Sequence, residues 1–342
     1  VILRSAFVLG GAALIGAATA ACSAPKGIAQ GGHVRLALVT DTGGLGDQAF
    51  NDNAYLGLLN AKAKLHADIA VLQSRSAADY QPNLTVLANK EYDEIFAAGY
   101  LMARDVDEVA TLFPHRHFVL IDAVVDEPNV ASVTFREQEG SFLAGAAAAM
   151  VSKTKTIAFI GGVDIPLIRK FEVGYAAGAR QIDPNITVLV KYVGSFGDPA
   201  AGKEIAGVLI DQHADVIYSA ASKSGLGAIE QVKVRPGVYA IGVDVDQDGF
   251  APGKVLTSMV KRVDAAVLKM SELTATGKLP SGHIQLGLKD GAVGLTPFKY
   301  TRNALTPAQF HHIDVLRTAV IDGKIVPPFT REALATYKPV AV

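Results

Sequence analysis

Tryptophan is missing altogether and cysteine occurs once, at Cys22. A lone thiol has no partner in its own chain, which excludes an intramolecular disulfide framework. Without tryptophan, any aromatic stacking on a ligand must come from the 14 phenylalanines and 10 tyrosines. Charge is sparse and balanced, with 19% of residues charged and a formal net charge of −1. That balance offers no electrostatic basis for binding nucleic acid or another polyanion. The eight histidines and single cysteine show no metal-ligand spacing, and His311-His312 reads as solvated. Beyond the opening segment no apolar run reaches the ~20 residues that a membrane-spanning helix needs. Nucleotide motifs are also missing. Gly43-Gly44-Leu45-Gly46 lacks the Lys-Ser/Thr of a P-loop and the spacing of G-x-G-x-x-G, and Gly161-Gly162 lacks a third glycine. No Ser-His-Asp, Cys-His or H-E-x-x-H arrangement is visible either. A neutral guest without phosphates is the expectation, with no cofactor, no metal and no catalytic residue.

The first thirty residues carry a targeting pattern. Arg4 precedes the apolar run Ala6 to Gly16, and small residues then lead to Thr19-Ala20-Ala21-Cys22. A basic tip, a short apolar stretch and a small-residue processing site make an export signal over residues 1–21. The sequence predicts that Cys22 is diacylated and becomes the mature N-terminus, with residues 22–32 as a tether. Two acyl chains anchor stably where one is marginal, each buried CH2 contributing about 0.8 kcal/mol. The blander alternative is a plain secretion signal in which Cys22 is incidental.

Behind the tether, apolar strands alternate with helical stretches. Val34–Thr40, Ile69–Leu72, Glu94–Gly99 and His117–Asp122 read as strands, with helices at Phe50–Leu65, Asn83–Lys90 and Met102–Phe113. A second series starts near residue 135. Its strands are Thr156–Gly162, Thr187–Val193, Ala214–Ala220 and Tyr239–Asp244, separated by helices at Glu139–Val151, Pro166–Gln181, Pro199–Gln212 and Gly225–Lys233. Continuous apolar strands spaced by helices imply parallel sheets. The chain therefore predicts an α/β protein of two doubly wound parallel-sheet domains joined by a hinge. The strand Lys254–Lys261 is predicted to run between the halves, Val263–Thr276 to return to the first and His283–Gly294 to rejoin the second. This places 33–134 plus about 262–280 in an N-terminal lobe. It places 135–261 plus about 281–330 in a C-terminal lobe, with 331–342 as a tail.

Polar residues collect at strand ends. Asp41, Asp122, Asp164 and Asp244 each follow a strand. Any one of them could simply cap the next helix through backbone N–H groups. Four at one edge point to a ligand cleft, because open parallel sheets bind at the carboxyl ends of their strands. Phe50 opens the first helix beside Asn51, and Phe171 sits in the helix after Asp164. One phenyl ring from each lobe could sandwich a flat ring, stacking being worth roughly 1–3 kcal/mol per base. As bland alternatives, Phe50 could be a hydrophobic staple and Asn51 a helix cap.

At these residues the chain resembles a known family. The matching stretches are Val39–Gly44 through Phe50-Asn51, Phe135–Gly145, Ile160–Pro166 to Phe171-Glu172, Tyr192–Phe196, Ala240–Asp244 and Ala251–Asp264. Together they are similar to the basic membrane protein family of solute-binding lipoproteins, the purine nucleoside receptor group. The resemblance implies a type I periplasmic-binding-protein fold that delivers purine nucleosides to the permease of an ATP-binding-cassette importer, on the outer face of the cell membrane. Carried over by position, Phe50 and Phe171 stack the base, and Asn51 and Asp122 bond its edge with Asp41 close by. Asp244 and Lys261 hold the ribose hydroxyls, a carboxylate accepting and an ammonium donating. The chain departs from the family where a Gly-Gly pair usually follows the strand at Asp215, reading Ala220-Ala221-Ser222-Lys223 instead. Lys223 is expected to narrow the cleft or touch the ligand. A receptor for another neutral solute such as a sugar, a sensor that presents its ligand, and a nucleoside hydrolase stay open as alternatives.

Overall fold

Six strands packed side by side, nearly all running the same way, form each half of this protein. The computed structural model describes residues 33–342, so the expected export signal, Cys22 and tether lie outside the described residues. The first series is β1 (Arg35–Thr40), α1 (Phe50–Leu65), β2 (Asp68–Leu72), α2 (Tyr80–Asn89), β3 (Glu94–Ala98), α3 (Ala103–Leu112), β4 (His117–Ile121) and β5 (Val130–Phe135). The second runs α4 (Glu137–Val151), β6 (Thr156–Gly161), α5 (Pro166–Ile182), β7 (Thr187–Tyr192), α6 (Pro199–Asp211), β8 (Val216–Ala220), α7 (Lys223–Lys233), β9 (Tyr239–Asp244) and β10 (Val255–Lys261). The chain ends with α8 (Val263–Ala275), β11 (Gly282–Leu286), β12 (Val293–Leu295), α9 (Pro307–Ile321) and α10 (Arg331–Thr336).

The first sheet has the order β11-β5-β4-β3-β1-β2 and is parallel throughout. The second has the order β12-β10-β9-β8-β6-β7, parallel except for the pair β10 and β12. Central strands such as β3, β5 and β8 are buried at every residue, the signature of sheets covered on both faces. Helix α5 begins on a proline, whose missing N–H costs nothing in the first turn.

The late part of the chain differs from the sequence expectation. His283–Leu286 was expected in the second half, but β11 pairs in parallel with β5, from Gly282 against Ala131 to Leu286 against Phe135. Only β12 joins the second sheet, antiparallel to β10. The reason is exposed edge: β5 is buried along its whole length and needs a neighbour on its open side. The alternating half-buried and exposed residues of β11 suit an edge strand with one covered face. β5 itself closes the first series, where the sequence reading had no strand. The strand read as running between the halves belongs wholly to the second sheet as β10. Helix α8 lies against α1, so close that a Cβ on Gly57 would stand 2.6 Å from the Asp264 carbonyl oxygen. The chain thus passes between the lobes three times, at Arg136, at Arg262 and over residues 287–292.

Helices α4 and α5 touch backbone to backbone. A Cβ at Gly178 would lie 1.8 Å from the Phe142 carbonyl oxygen, a clash only glycine avoids. Residues 331–342, read as a tail, are tied along α5. Arg331 holds Glu172 through two N–H···O contacts of 2.9 and 2.6 Å, and the Tyr337 hydroxyl donates to Gln181 at 2.7 Å.

Candidate functional site

The carboxyl ends of the strands in the two sheets face each other across a cleft lined by residues of both lobes. Six of the seven residues expected at the ligand line it: Asp41, Phe50, Asp122, Phe171, Asp244 and Lys261. Asp41 follows β1 and Asp122 follows β4 in the first lobe, while Asp244 ends β9 and Lys261 ends β10 in the second. Asp122 and Asp244 both take left-handed backbone, with φ of +78° and +66°. This conformation is uncommon outside glycine but accessible to aspartate, and it turns the chain sharply off the strand end.

Asn51 stands one layer back. Its amide donates to Asp41 Oδ1 at 2.8 Å and to Asp47 Oδ2 at 3.0 Å, and its carbonyl oxygen accepts the Asp41 N–H at 3.2 Å. The sequence reading gave Asn51 direct contact with the ligand. In the structure Asn51 is not among the residues that line the cleft, and both its amide N–H groups are given to Asp41 and Asp47.

Lys261 organises the polar floor. Its ammonium donates to Asp122 Oδ2 at 2.6 Å and ion-pairs with Glu137 Oε1 at 3.1 Å, with all three side chains sealed from solvent. The same nitrogen lies 5.2 Å from the Phe50 ring centroid, 5.0 Å from Phe135 and 5.6 Å from Phe171. Burial alone would weaken the ammonium's hold on its proton. The combined attraction of Asp122, Glu137 and Asp244 overcomes that and keeps it above the ordinary lysine range. Burial raises Asp122 above the usual carboxylate range, with Lys261 pulling the other way. Burial likewise pushes Asp244 up to about 7, against the pull of Lys261. Asp41 is pushed up to about 6 by burial, opposed by its bonds from Asn51 and Gly43.

Acceptors in this cleft outnumber donors. Asp122 Oδ1 is buried without a hydrogen bond, and the Asp244 carboxylate accepts none among the described residues. A guest rich in N–H and O–H groups would satisfy both. Among the described residues no group of three or more His, Cys, Asp or Glu side chains could hold a metal ion.

Several residues in and behind the cleft escaped the sequence reading. Glu137, which stands behind the cleft against Lys261, lies within the Phe135–Gly145 stretch that carried the resemblance, so that stretch was a usable signal. Ser222, on the cleft wall, occupies the turn where the chain departs from the family's glycine pair. Ile165, Leu167, Ile168 and Phe196 supply apolar lining from the second lobe, and nothing in their spacing distinguished them from ordinary core. Lys223, expected to narrow the cleft, is absent from its lining and begins α7.

Two doubly wound lobes, three chain crossings and a cleft between opposed strand ends define a type I periplasmic-binding-protein fold. The family profile of PnrA-like ABC transporter substrate-binding proteins matches residues 34–326. The chain is 35% identical over 320 residues to the ABC transporter nucleoside-binding protein BmpA of Lactococcus lactis subsp. cremoris, covering 86% of this chain and 89% of that protein. It is 34% identical over 325 residues to basic membrane protein A of Borreliella afzelii, covering 92% of this chain and 98% of that one. In structure it is similar to an ABC transporter solute-binding protein of Aeropyrum pernix K1, with TM-score 0.82, 27% identity, and coverage of 89% and 96% of the two chains. The chain belongs to the PnrA-like family of ABC transporter substrate-binding proteins. That family is a class of binding proteins, not of enzymes.

Proposed function

We propose that this protein is a lipid-anchored receptor on the outer face of the cell membrane that clamps a purine nucleoside and hands it to an ABC permease. The observation that carries this reading is the pair of phenyl rings, Phe50 and Phe171, brought from opposite lobes to one cleft whose floor holds unpartnered carboxylate oxygens. Flat aromatic bases stack between such rings. Asp122 and Asp41 take the N–H groups of the base edge, with Asn51 holding Asp41 in place. Asp244 accepts from the ribose diol, and Lys261 donates to it with N–H capacity left over from its ion pairs. The clustered carboxylates repel phosphates, so nucleotides are excluded while nucleosides enter.

The relative named as nucleoside-binding in Lactococcus lactis supports the ligand class, and the name of the Borreliella relative supports a membrane location. Among the described residues no helix is long and apolar enough to cross a membrane. The attachment proposed is the acylated Cys22 that follows the export-signal pattern.

A thermal-shift screen of nucleosides, free bases and sugars tests the proposal. A guest that binds only the folded state raises the melting point, by the equivalent of about 2.7 kcal/mol at a hundredfold excess over Kd. Guanosine, inosine or adenosine should shift it, and recovered inosine should be chemically unchanged. A shift with sugars alone would overturn the ligand class, and release of free hypoxanthine would make the protein a hydrolase.

A further inference from the structure

Ser222 combines an awkward backbone with a bond to the opposite lobe. It lies between β8 and α7 with φ +49° and ψ −130°, a region that suits glycine and that L-residues rarely adopt. Such a conformation persists only where the surroundings over-determine it, and it tends to mark functional sites. Here the hydroxyl donates to Asp47 Oδ2 at 2.8 Å, from the second lobe to the first, with both residues buried.

Asp47 is a rigid acceptor. Its carboxylate also accepts the backbone N–H groups of Ala49, Asn51 and Asp52 at 2.9–3.0 Å, and the Asn51 amide at 3.0 Å. An acceptor fixed in this way gives a charge-assisted bond with little left to order. Adjacent contacts close the same seam. Gln247 Nε2 donates to the Gln48 carbonyl at 3.1 Å, and a Cβ on Gly43 would stand 3.0 Å from Ser222 Oγ. Ser222 lines the cleft wall but Asp47 lies behind it, so the bond joins the lobes at the rim of the site.

We infer that Ser222 is the latch of the clamp, a positioning residue whose hydroxyl, docked on Asp47, stabilises the closed form and slows release of any guest inside. The inference rests on the two-lobed clamp described above but not on which guest it holds. The bond is made between protein groups alone, so it favours closure whether or not a guest is bound.

The test compares the full chain with Ser222→Ala and Ser222→Gly. Both substitutions remove the hydroxyl, and glycine also relieves the backbone. Without ligand, both variants should show a larger radius of gyration in small-angle scattering than the unaltered protein. With guanosine, inosine and adenosine, dissociation should quicken about tenfold for each, as expected for loss of one hydrogen bond to a charged acceptor. Association rates and the ranking of the three should hold. Ser222→Gly should still melt cooperatively, which separates opening from unfolding. Identical scattering for the three proteins overturns the latch, and so does a loss confined to one nucleoside, which would make Ser222 a ligand contact. If no nucleoside binds the unaltered protein, the ligand assignment fails while scattering still decides the latch.

Discussion

Lys261 Nζ lies 2.6 Å from Asp122 Oδ2, an ion pair that joins the end of β10 in one lobe to the end of β4 in the other. Removing one partner of a sealed pair leaves the other charged and dry. Lys261→Met should therefore cost about 3–5 kcal/mol of stability at neutral pH, read from urea unfolding. The deficit should shrink as the pH is lowered, because burial already raises Asp122 and makes it the readier to take up a proton. A variant as stable as the original at pH 7 would show that the pair contributes nothing net.

The two phenyl rings are tested separately. Phe50→Ala and Phe171→Ala should each weaken guanosine binding at least tenfold, about 1.4 kcal/mol. Calorimetry that returns unchanged affinity for both variants removes the sandwich.

Asp244 distinguishes the sugar from the base. Asp244→Ala should lower affinity for ribosides far more than for free bases, and equal losses would argue against a ribose contact. Burial places this carboxyl at about 7, so it gains its full accepting power only above that value. Guanosine affinity should rise from pH 6 to pH 8, and the rise should be smaller in Asp244→Asn.

Glu94 opens β3 at the end of the strand away from the cleft, fully buried, with neither carboxylate oxygen hydrogen-bonded. Burial pushes it from 4.5 up to about 8. The folded protein thus holds a proton that the unfolded chain releases. Stability from this group is complete below pH 4.5 and declines as pH rises toward 8, by on the order of a few kcal/mol in total. Glu94→Gln should flatten that decline and unfold at higher urea than the original at pH 8. Parallel stability curves for the two proteins would refute the assignment.

Much of the fold is legible in the sequence because each central strand is a short apolar run closed by a polar residue. Asp41, Asp122 and Asp244 could be picked out for that reason, since a strand end is a local feature. The partnership of β11 with β5 could not, because an alternating strand says which face is covered but not which sheet it joins. The tie of Asn51 to Asp41 and Asp47, and the place of Glu137 beside Lys261, depend on groups meeting across elements and lobes. Ser222 was visible only as a departure from a glycine pair, with no hint of the bond that its hydroxyl makes.

The three passages of the chain between lobes have a practical consequence. Neither lobe is one uninterrupted stretch, so cutting the gene at any single point cannot deliver an intact half. Grafting one binding face onto a relative requires exchanging several pieces at once. Conversely, a protease that nicks residues 287–292 leaves two other connections in place, and the halves stay hinged together.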